Sequence, residues 1–220
     1  MRIVLPSGTP GELARPKTGT PSRGLVIAPD IFGLRPLYDD MVQRLADDWE
    51  LVVCAVEPFP GRELPPDIEP RFAAVRSIDD ERHLADLIEG ADATGQQTVN
   101  LLGYCLGGMY CHKASRSDRF GRVVSFYGMI RVPDAWQSET QGEPLEYLTH
   151  GRADRILAIV GGRDHYTTAA DVEALETLGV TAVRYPDAEH GFAHDPSRPA
   201  HRVDDAADAY HRARAWLELE

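Results

Sequence analysis

Gly103-Tyr104-Cys105-Leu106-Gly107-Gly108 decides how this chain is read. Before it, Thr98 to Leu102 run Thr-Val-Asn-Leu-Leu, a strand-like stretch; after it, Met109 to Ser117 pass without a glycine or proline. The pattern is Gly-x-nucleophile-x-Gly, a sharp strand-to-helix turn, with sulfur where a hydroxyl oxygen often stands. A nucleophile on so tight a turn has strained backbone angles, and any side chain two positions away would meet the neighbouring strand or helix. The turn also sets the thiol at a helix N-terminus, whose unpaired N–H groups favour an anion. Cys105 is therefore read as a nucleophilic thiol.

Outward from this turn, short β-branched runs alternate with longer amphipathic ones from end to end, which predicts an α/β fold: a mostly parallel, doubly wound sheet flanked by helices on both faces. Strands are expected at 2–5, 24–28, 51–55, 98–102, 123–127, 156–161 and 180–185, and helices at 37–48, 71–93, 106–117, 168–178 and 201–219. The continuous apolar runs at 24–28 and 156–160 read as strands covered on both faces, at the centre of the sheet. In the last helix Ala206, Ala209, Tyr210, Ala213, Trp216 and Leu217 share one stripe, so it should pack on the sheet as the final layer. Pro58 to Pro66 reads as one loop, and Arg131 to Gly151 as a region without a clean period. Residues 1–220 read as a single domain, with no internal repeat.

Composition narrows the partners. With 23 Lys and Arg against 35 Asp and Glu, the formal charge is −12, so no electrostatic footprint for nucleic acid or an acidic membrane surface is expected. Pro6 and Gly8 interrupt the N-terminal apolar residues before a signal-peptide core could form, and no apolar run approaches membrane-spanning length. Three cysteines fit a reducing compartment better than a disulfide framework, so a cytoplasmic monomer or small homo-oligomer is expected. Cys54 and Cys111 are read as small buried hydrophobes.

A thiol nucleophile needs a base, and the base an orienting group. Asp164 follows the strand 156–160 through Gly161-Gly162-Arg163, and His190 follows the strand 180–185 through Pro186-Asp187-Ala188-Glu189. Both then lie beyond strand carboxyl ends, the edge where ligands gather in open parallel sheets. The chain order nucleophile, acid, histidine is that of the α/β-hydrolase arrangement. The other seven histidines read as solvated or capping residues. His190 and His194 have a spacing that could hold a metal on a helix, but Gly191 breaks the helix and a third ligand is lacking, so neither metal nor cofactor is expected. Asp39-Asp40 and Asp204-Asp205 read as helix-start acids.

Taken together, Asp30-Ile31-Phe32-Gly33, the elbow, Phe126-Tyr127-Gly128, Gly161-Gly162-Arg163-Asp164-His165 and Glu189-His190-Gly191-Phe192-Ala193 resemble the dienelactone hydrolase family of α/β-hydrolases over nearly the whole chain. The resemblance implies hydrolysis of a small-molecule ester or lactone through a thioester acyl-enzyme, with Cys105 as nucleophile, His190 as base and Asp164 as its orienter. It also implies an oxyanion held by the backbone N–H groups of Ile31 and Leu106. Two positions depart from the family pattern. Asp30 stands where the lactone hydrolases carry a glutamate thought to help ionise the thiol, and its reach is shorter by roughly 1.5 Å. His194 stands at the position of an arginine that binds a substrate carboxylate, while Arg71 or Arg76 is left to represent the family's second such arginine.

Trp136, Leu145, Tyr147 and Leu148 in the region up to Gly151 either line an acyl pocket or anchor that region on the core. Two other functions remain open: a carboxylesterase or thioesterase of different acyl specificity, and a reactive-thiol sensor without turnover on the same scaffold. Retention of Asp164 and His190 favours an enzyme, because a sensor has no use for deacylation machinery. Enol esters, lactones and other activated esters are favoured over peptides.

Overall fold

Eight strands form one sheet in the computed structural model, which describes residues 1–219. They are β1 (Arg2–Val4), β2 (Pro10–Ala14), β3 (Arg23–Ala28), β4 (Val52–Val56), β5 (Thr98–Tyr104), β6 (Val123–Phe126), β7 (Ile156–Gly161) and β8 (Thr181–Tyr185). Their spatial order is β1-β2-β4-β3-β5-β6-β7-β8. β1 and β2 enter antiparallel, and every pair from β4 to β8 is parallel. Strands β3, β4, β5, β6 and β7 are almost wholly buried, as a sheet covered by crossover helices on both faces requires.

The helices are α1 (Pro36–Trp49), α2 (Ile68–Val75), α3 (Asp80–Ala93), α4 (Leu106–Lys113), α5 (Pro144–Thr149), α6 (Ala169–Thr177) and α7 (Val203–Trp216). Asp39 lies in the first turn of α1, and Asp204 and Asp205 in that of α7, where the helix dipole favours them. Ala206, Ala209 and Ala213 of α7 are buried, so this helix packs as the expected outer layer. No helix among the described residues is long and apolar enough to cross a membrane.

Four expectations are corrected. β2, Pro-Gly-Glu-Leu-Ala, was hidden by its breakers and lack of β-branched residues; its Glu12 accepts from the N-terminal amine and pairs with Arg2 near the sheet edge. The helix expected over 71–93 is two, because Asp79 caps α3 by accepting from Arg82 N–H and Ser77 Oγ donates to the Ala74 carbonyl. β7 is the seventh strand in the sheet, next to the edge strand and not central; it is buried along its whole length, so an apolar run reported cover and not rank. The region 131–151 contains α5 and a 3-10 turn at Asp134–Trp136.

That region is tied down through one buried carboxylate. Asp80 accepts from Lys113 Nζ at 2.8 and 2.9 Å, Tyr110 Oη at 2.9 Å, Tyr147 Oη at 3.2 Å and Gly142 N–H at 2.8 Å. Five donor contacts offset the desolvation of a buried ion pair and fix the segment that roofs the sheet edge. Tyr147 and Leu148 thus anchor the region, as one of the two sequence readings held.

Candidate active site

The elbow brings β5 into α4 through Cys105, which has φ 56° and ψ −113°. A non-glycine residue in that region is strained, and the surroundings hold it: Cys105 N–H donates to the Phe126 carbonyl at 3.0 Å and its carbonyl accepts from Met109 N–H at 3.0 Å. The neighbouring glycines are demanded by space. A Cβ on Gly107 would lie 1.9 Å from the Ala28 carbonyl oxygen, and one on Gly103 would lie 2.3 Å from that of Gly107. Without these side chains the first turn of α4 closes on the end of β3, so the loop after β3 reaches the thiol.

Two backbone donors in this neighbourhood lack an ordinary partner among the described residues, at Leu106, which follows Cys105, and at Ile31, which lines the same pocket as Cys105. Leu106 is the first residue of α4, and its N–H has no carbonyl to meet within the helix. In the loop after β3, Asp30 N–H donates to Tyr38 Oη, Phe32 N–H to Asp30 Oδ1 and Gly33 N–H to the Asp30 carbonyl, while Ile31 N–H has no partner among the described residues.

The loops after β7 and β8 are locked together by Gly162 N–H to Tyr185 O at 2.8 Å and Arg163 N–H to Ala188 O at 2.9 Å. Asp164, buried in the first loop, accepts from Tyr166 N–H on Oδ1 at 2.9 Å and faces His190 Nδ1 with Oδ2 at 2.8 Å. An ionised carboxylate there makes Nδ1 the donor and leaves Nε2 to act as base. Nε2 is buried without a hydrogen-bond partner of ordinary geometry. Burial pulls the His190 pKa down, but the charge of the Cys105 sulfur and the Asp164 hydrogen bond outweigh it, so the pKa stands above the usual histidine range. Tyr127 and Tyr166 meet the ring edge-on, with centroids 5.3 and 5.0 Å away.

Beneath this site lies a second chain of polar groups that sequence reasoning did not assemble. Arg35 grips Asp30 with two nitrogens, at 2.6 and 2.9 Å; Asp30 Oδ2 meets His194 Nε2 at 2.7 Å; His194 Nδ1 meets Tyr127 Oη at 2.6 Å. His194 N–H donates to the same Tyr127 oxygen at 3.2 Å. Burial lowers the His194 pKa against the pull of Asp30. The neutral Nε2–H tautomer satisfies every partner: it donates to Asp30 and accepts the Tyr127 hydroxyl proton. Burial would raise Asp30, yet bonds from His194 and Arg35 hold its carboxyl well below the ordinary range.

These bonds correct three assignments. His194 has a wholly buried side chain stacked on Tyr104 at 4.8 Å, and it does not line the slot over Cys105. The Asp30 carboxylate is engaged by Phe32, Arg35 and His194, and its geometry is that of a strut under the Ile31 loop. Arg71 donates to the carbonyls of Ile31, Phe32, Leu64 and Pro65 and so ties that loop to the proline-rich one. Arg76 lies farther out, on a cleft beyond the slot that Cys105 and His190 line. His83, His112 and His194 are buried, contrary to the solvated reading; His190 and His194 each meet a different carboxylate. Cys54 and Cys111 are buried thiols, and burial pushes Cys54 up to about 12.

Over the thiol lies a slot of about 130 Å³ lined by Asp30, Ile31, Phe32, Ile68, Phe72, Met129, Trp136 and Tyr166 around Cys105 and His190. Trp136 lines the slot and packs on Phe72 with ring centroids 4.9 Å apart, so the anchoring contact and a place in the slot wall coexist in one side chain. Arg198 joins the lining. Its guanidinium sits over Gly191, where a Cβ would come within 2.6 Å of Nη1, and no side-chain hydrogen bond or ion pair engages it among the described residues. Its loop, Asp195-Pro196-Ser197-Arg198-Pro199, has no periodicity that could have announced this.

With the geometry in hand, comparison with known proteins is direct. Residues 10–219 match the model of the dienelactone hydrolase family. A carboxymethylenebutenolidase of Rhodococcus opacus is 27% identical, with 88% of this chain and 80% of the relative covered. One from Pseudomonas putida is 26% identical, with 85% and 82% covered. Among solved structures, a Klebsiella pneumoniae protein provisionally described as a dienelactone hydrolase superposes with a TM-score of 0.88 at 24% identity, covering 100% of this chain and 98% of the other. A dienelactone hydrolase-like promiscuous phosphotriesterase from metagenomic libraries gives 0.76 at 18% identity, covering 100% and 97%. The α/β-hydrolase fold and the matched residues lead to one conclusion: this chain belongs to the dienelactone hydrolase family.

Proposed function

We propose that this hydrolase cleaves a carboxylic ester or lactone through Cys105, His190 and Asp164 by way of a thioester acyl-enzyme. The observation that carries the reading is the free Nε2 of an Asp164-oriented His190 beside a thiol on a strained elbow, with two unengaged backbone N–H groups at Ile31 and Leu106.

In this mechanism His190 takes the thiol proton, or holds it as imidazolium, and the sulfur attacks the carbonyl carbon. The carbonyl oxygen becomes an oxyanion that accepts from Ile31 N–H and Leu106 N–H; one such donor contributes about 10²–10³-fold in rate. His190 then protonates the departing alkoxide, and the acyl group remains on sulfur. Water, deprotonated by His190, attacks the thioester and frees the acid and the thiol. Asp164 keeps the imidazole in the productive tautomer and stabilises its charged form. Arg198, the unengaged cation of the slot, favours a substrate with a carboxylate near the scissile bond. The carboxymethylenebutenolidase relatives carry such a group in the name of their substrate.

The test is turnover of aryl acetates and carboxylate-bearing enol lactones by the parent protein and Cys105→Ala. The parent is expected to hydrolyse both classes and the variant neither; a variant with more than a tenth of the parent kcat/KM sinks the assignment.

A further inference from the structure

The slot above Cys105 is small for its task. Sites that enclose small molecules typically measure about 300–1,000 Å³. The slot holds about 130 Å³. It does not end where its inner residues end: Ile68, Phe72 and Tyr166 also line an open cleft of about 600 Å³, whose far side is Glu69, Ala73, Arg76 and Ala135. Slot and cleft together fall within the usual range.

We propose that this outer cleft is a substrate subsite that takes an extended aryl or alkyl group of the ester, which rests on the reading of Cys105 as the ester-cleaving nucleophile. Three observations carry it. The shared residues make the cleft continuous with the slot, and Tyr166 at the junction stands edge-on to His190. The surface is apolar where it meets the slot, and Ile68, 40% exposed, is one of only four large apolar side chains left exposed among the described residues. The others, Met1, Val4 and Val203, are scattered over the chain, whereas Ile68 adjoins Phe72 in a concave wall. An apolar side chain exposed in a cleft beside a reactive centre marks a place where apolar ligand surface is buried.

The cleft is also preformed. Its two walls, α2 and the turn Asp134–Trp136, meet through Phe72 and Trp136 at 4.9 Å. The segment behind the turn is held by the Asp80 bonds to Gly142 and Tyr147 and by Gln141 Nε2 donating to the Val75 carbonyl at 2.7 Å. Ala73 and Ala135 are exposed and small, and they leave the cleft open at its outer end. Glu69 and Arg76 put charge only at that rim, so the selected group is apolar along its length.

Two series of neutral esters test this: p-nitrophenyl acetate, butyrate and hexanoate, which lengthen the acyl side, and phenyl against 2-naphthyl acetate, which enlarge the alcohol side. Along one of them kcat/KM is expected to rise about threefold to fourfold per added methylene, or comparably for the added ring. Ala73→Trp and Ala135→Trp fill the outer cleft without touching the inner slot. Each should lower kcat/KM at least tenfold on the favoured long substrate and less than twofold on vinyl acetate, whose acyl and alcohol groups are both too small to reach the outer cleft. Turnover of the acetate with flat series, or equal losses on short and long esters in both variants, overturns the subsite and leaves the nucleophile reading standing. No turnover of any ester overturns both.

Discussion

Replacing Asp30 separates a strut from a thiol activator. In the folded protein its two oxygens serve Phe32 N–H at 3.0 Å, both terminal nitrogens of Arg35, and His194 Nε2 at 2.7 Å. Asp30→Ala removes all of these at once, leaving Arg35 with only the Gly33 carbonyl at 3.3 Å and Asp195 at 3.7 Å, and Phe32 N–H and the buried His194 Nε2 without this acceptor. Truncating one member of a buried ion pair costs about 3–5 kcal/mol. For a domain of this size 1 kcal/mol is worth about 2–4 °C in Tm, so the melting point should fall by roughly 6–20 °C. Asp30→Asn keeps an oxygen for Phe32 and Arg35, and its amide can donate to His194 once the imidazole shifts tautomer. The cost is then one displaced hydroxyl proton and an ion pair reduced to a hydrogen bond from Arg35 to a neutral amide oxygen, about 1–3 kcal/mol.

Activity separates the roles further. Asp30 closes the turn that carries Ile31 N–H, the proposed oxyanion donor, and loss of one such donor costs about 10²–10³ in kcat. Assayed below its melting point, Asp30→Ala should lose about that much, while Asp30→Asn stays within tenfold of the parent. Urea denaturation and steady-state rates on an aryl acetate read both quantities. If Asp30→Ala unfolds within 0.5 kcal/mol of the parent, the strut argument is refuted; if Asp30→Asn is stable but inactive, the carboxylate acts on the thiol.

Other outcomes follow from the same geometry. Gly107→Ala drives a Cβ to 1.9 Å from the Ala28 carbonyl oxygen, backbone against backbone, and should destabilise by about 1–3 kcal/mol or more with loss of activity; an unchanged urea midpoint refutes the close approach. Burial holds His83 and His112 down to about 4, against about 6.5 for the unfolded chain, so the unfolded state binds protons that the folded state refuses. Stability should therefore fall as pH drops from about 6.5 to about 4, at about 1.4 kcal/mol per pH unit for each histidine, and urea melts in which His83→Phe leaves that slope unchanged contradict the assignment. Arg198→Met should reduce kcat/KM about 10–100-fold on carboxylate-bearing lactones and less than threefold on neutral esters, since a hydrogen bond to a charged group contributes about 1.5–3 kcal/mol; equal losses on both substrates refute the carboxylate assignment.

Local rules carried the reading far. The elbow glycines, the apolar strands and the loops bearing Asp164 and His190 each obey a short-range constraint, so they could be placed from the chain alone, and the structure brings the three side chains to one edge of the sheet. What stayed hidden depends on contacts distant in sequence. The Asp30–His194 bond spans 164 positions, and nothing in either segment names the other. His194 looked like a replacement for a substrate-facing arginine because alignment preserves position but not direction. Arg198 lies in a loop without period, eight residues beyond His190, and only folding over Gly191 delivers it to the slot. β2, second from the edge, escaped because pairing with β1 and β4 on either side outweighs its own low strand propensity.

The central claim is that Cys105 carries the acyl group. Its most direct measurement is intact-protein and peptide mass spectrometry of the parent and His190→Ala after brief exposure to p-nitrophenyl acetate. The account predicts an acetyl increment on the peptide containing Cys105, transient in the parent, which hydrolyses it; in His190→Ala it forms more slowly, because the thiol has lost its base, but persists, because deacylation has lost the same base. Ester turnover by the parent with Cys105 never acylated, or with the acyl group on another residue, would contradict it.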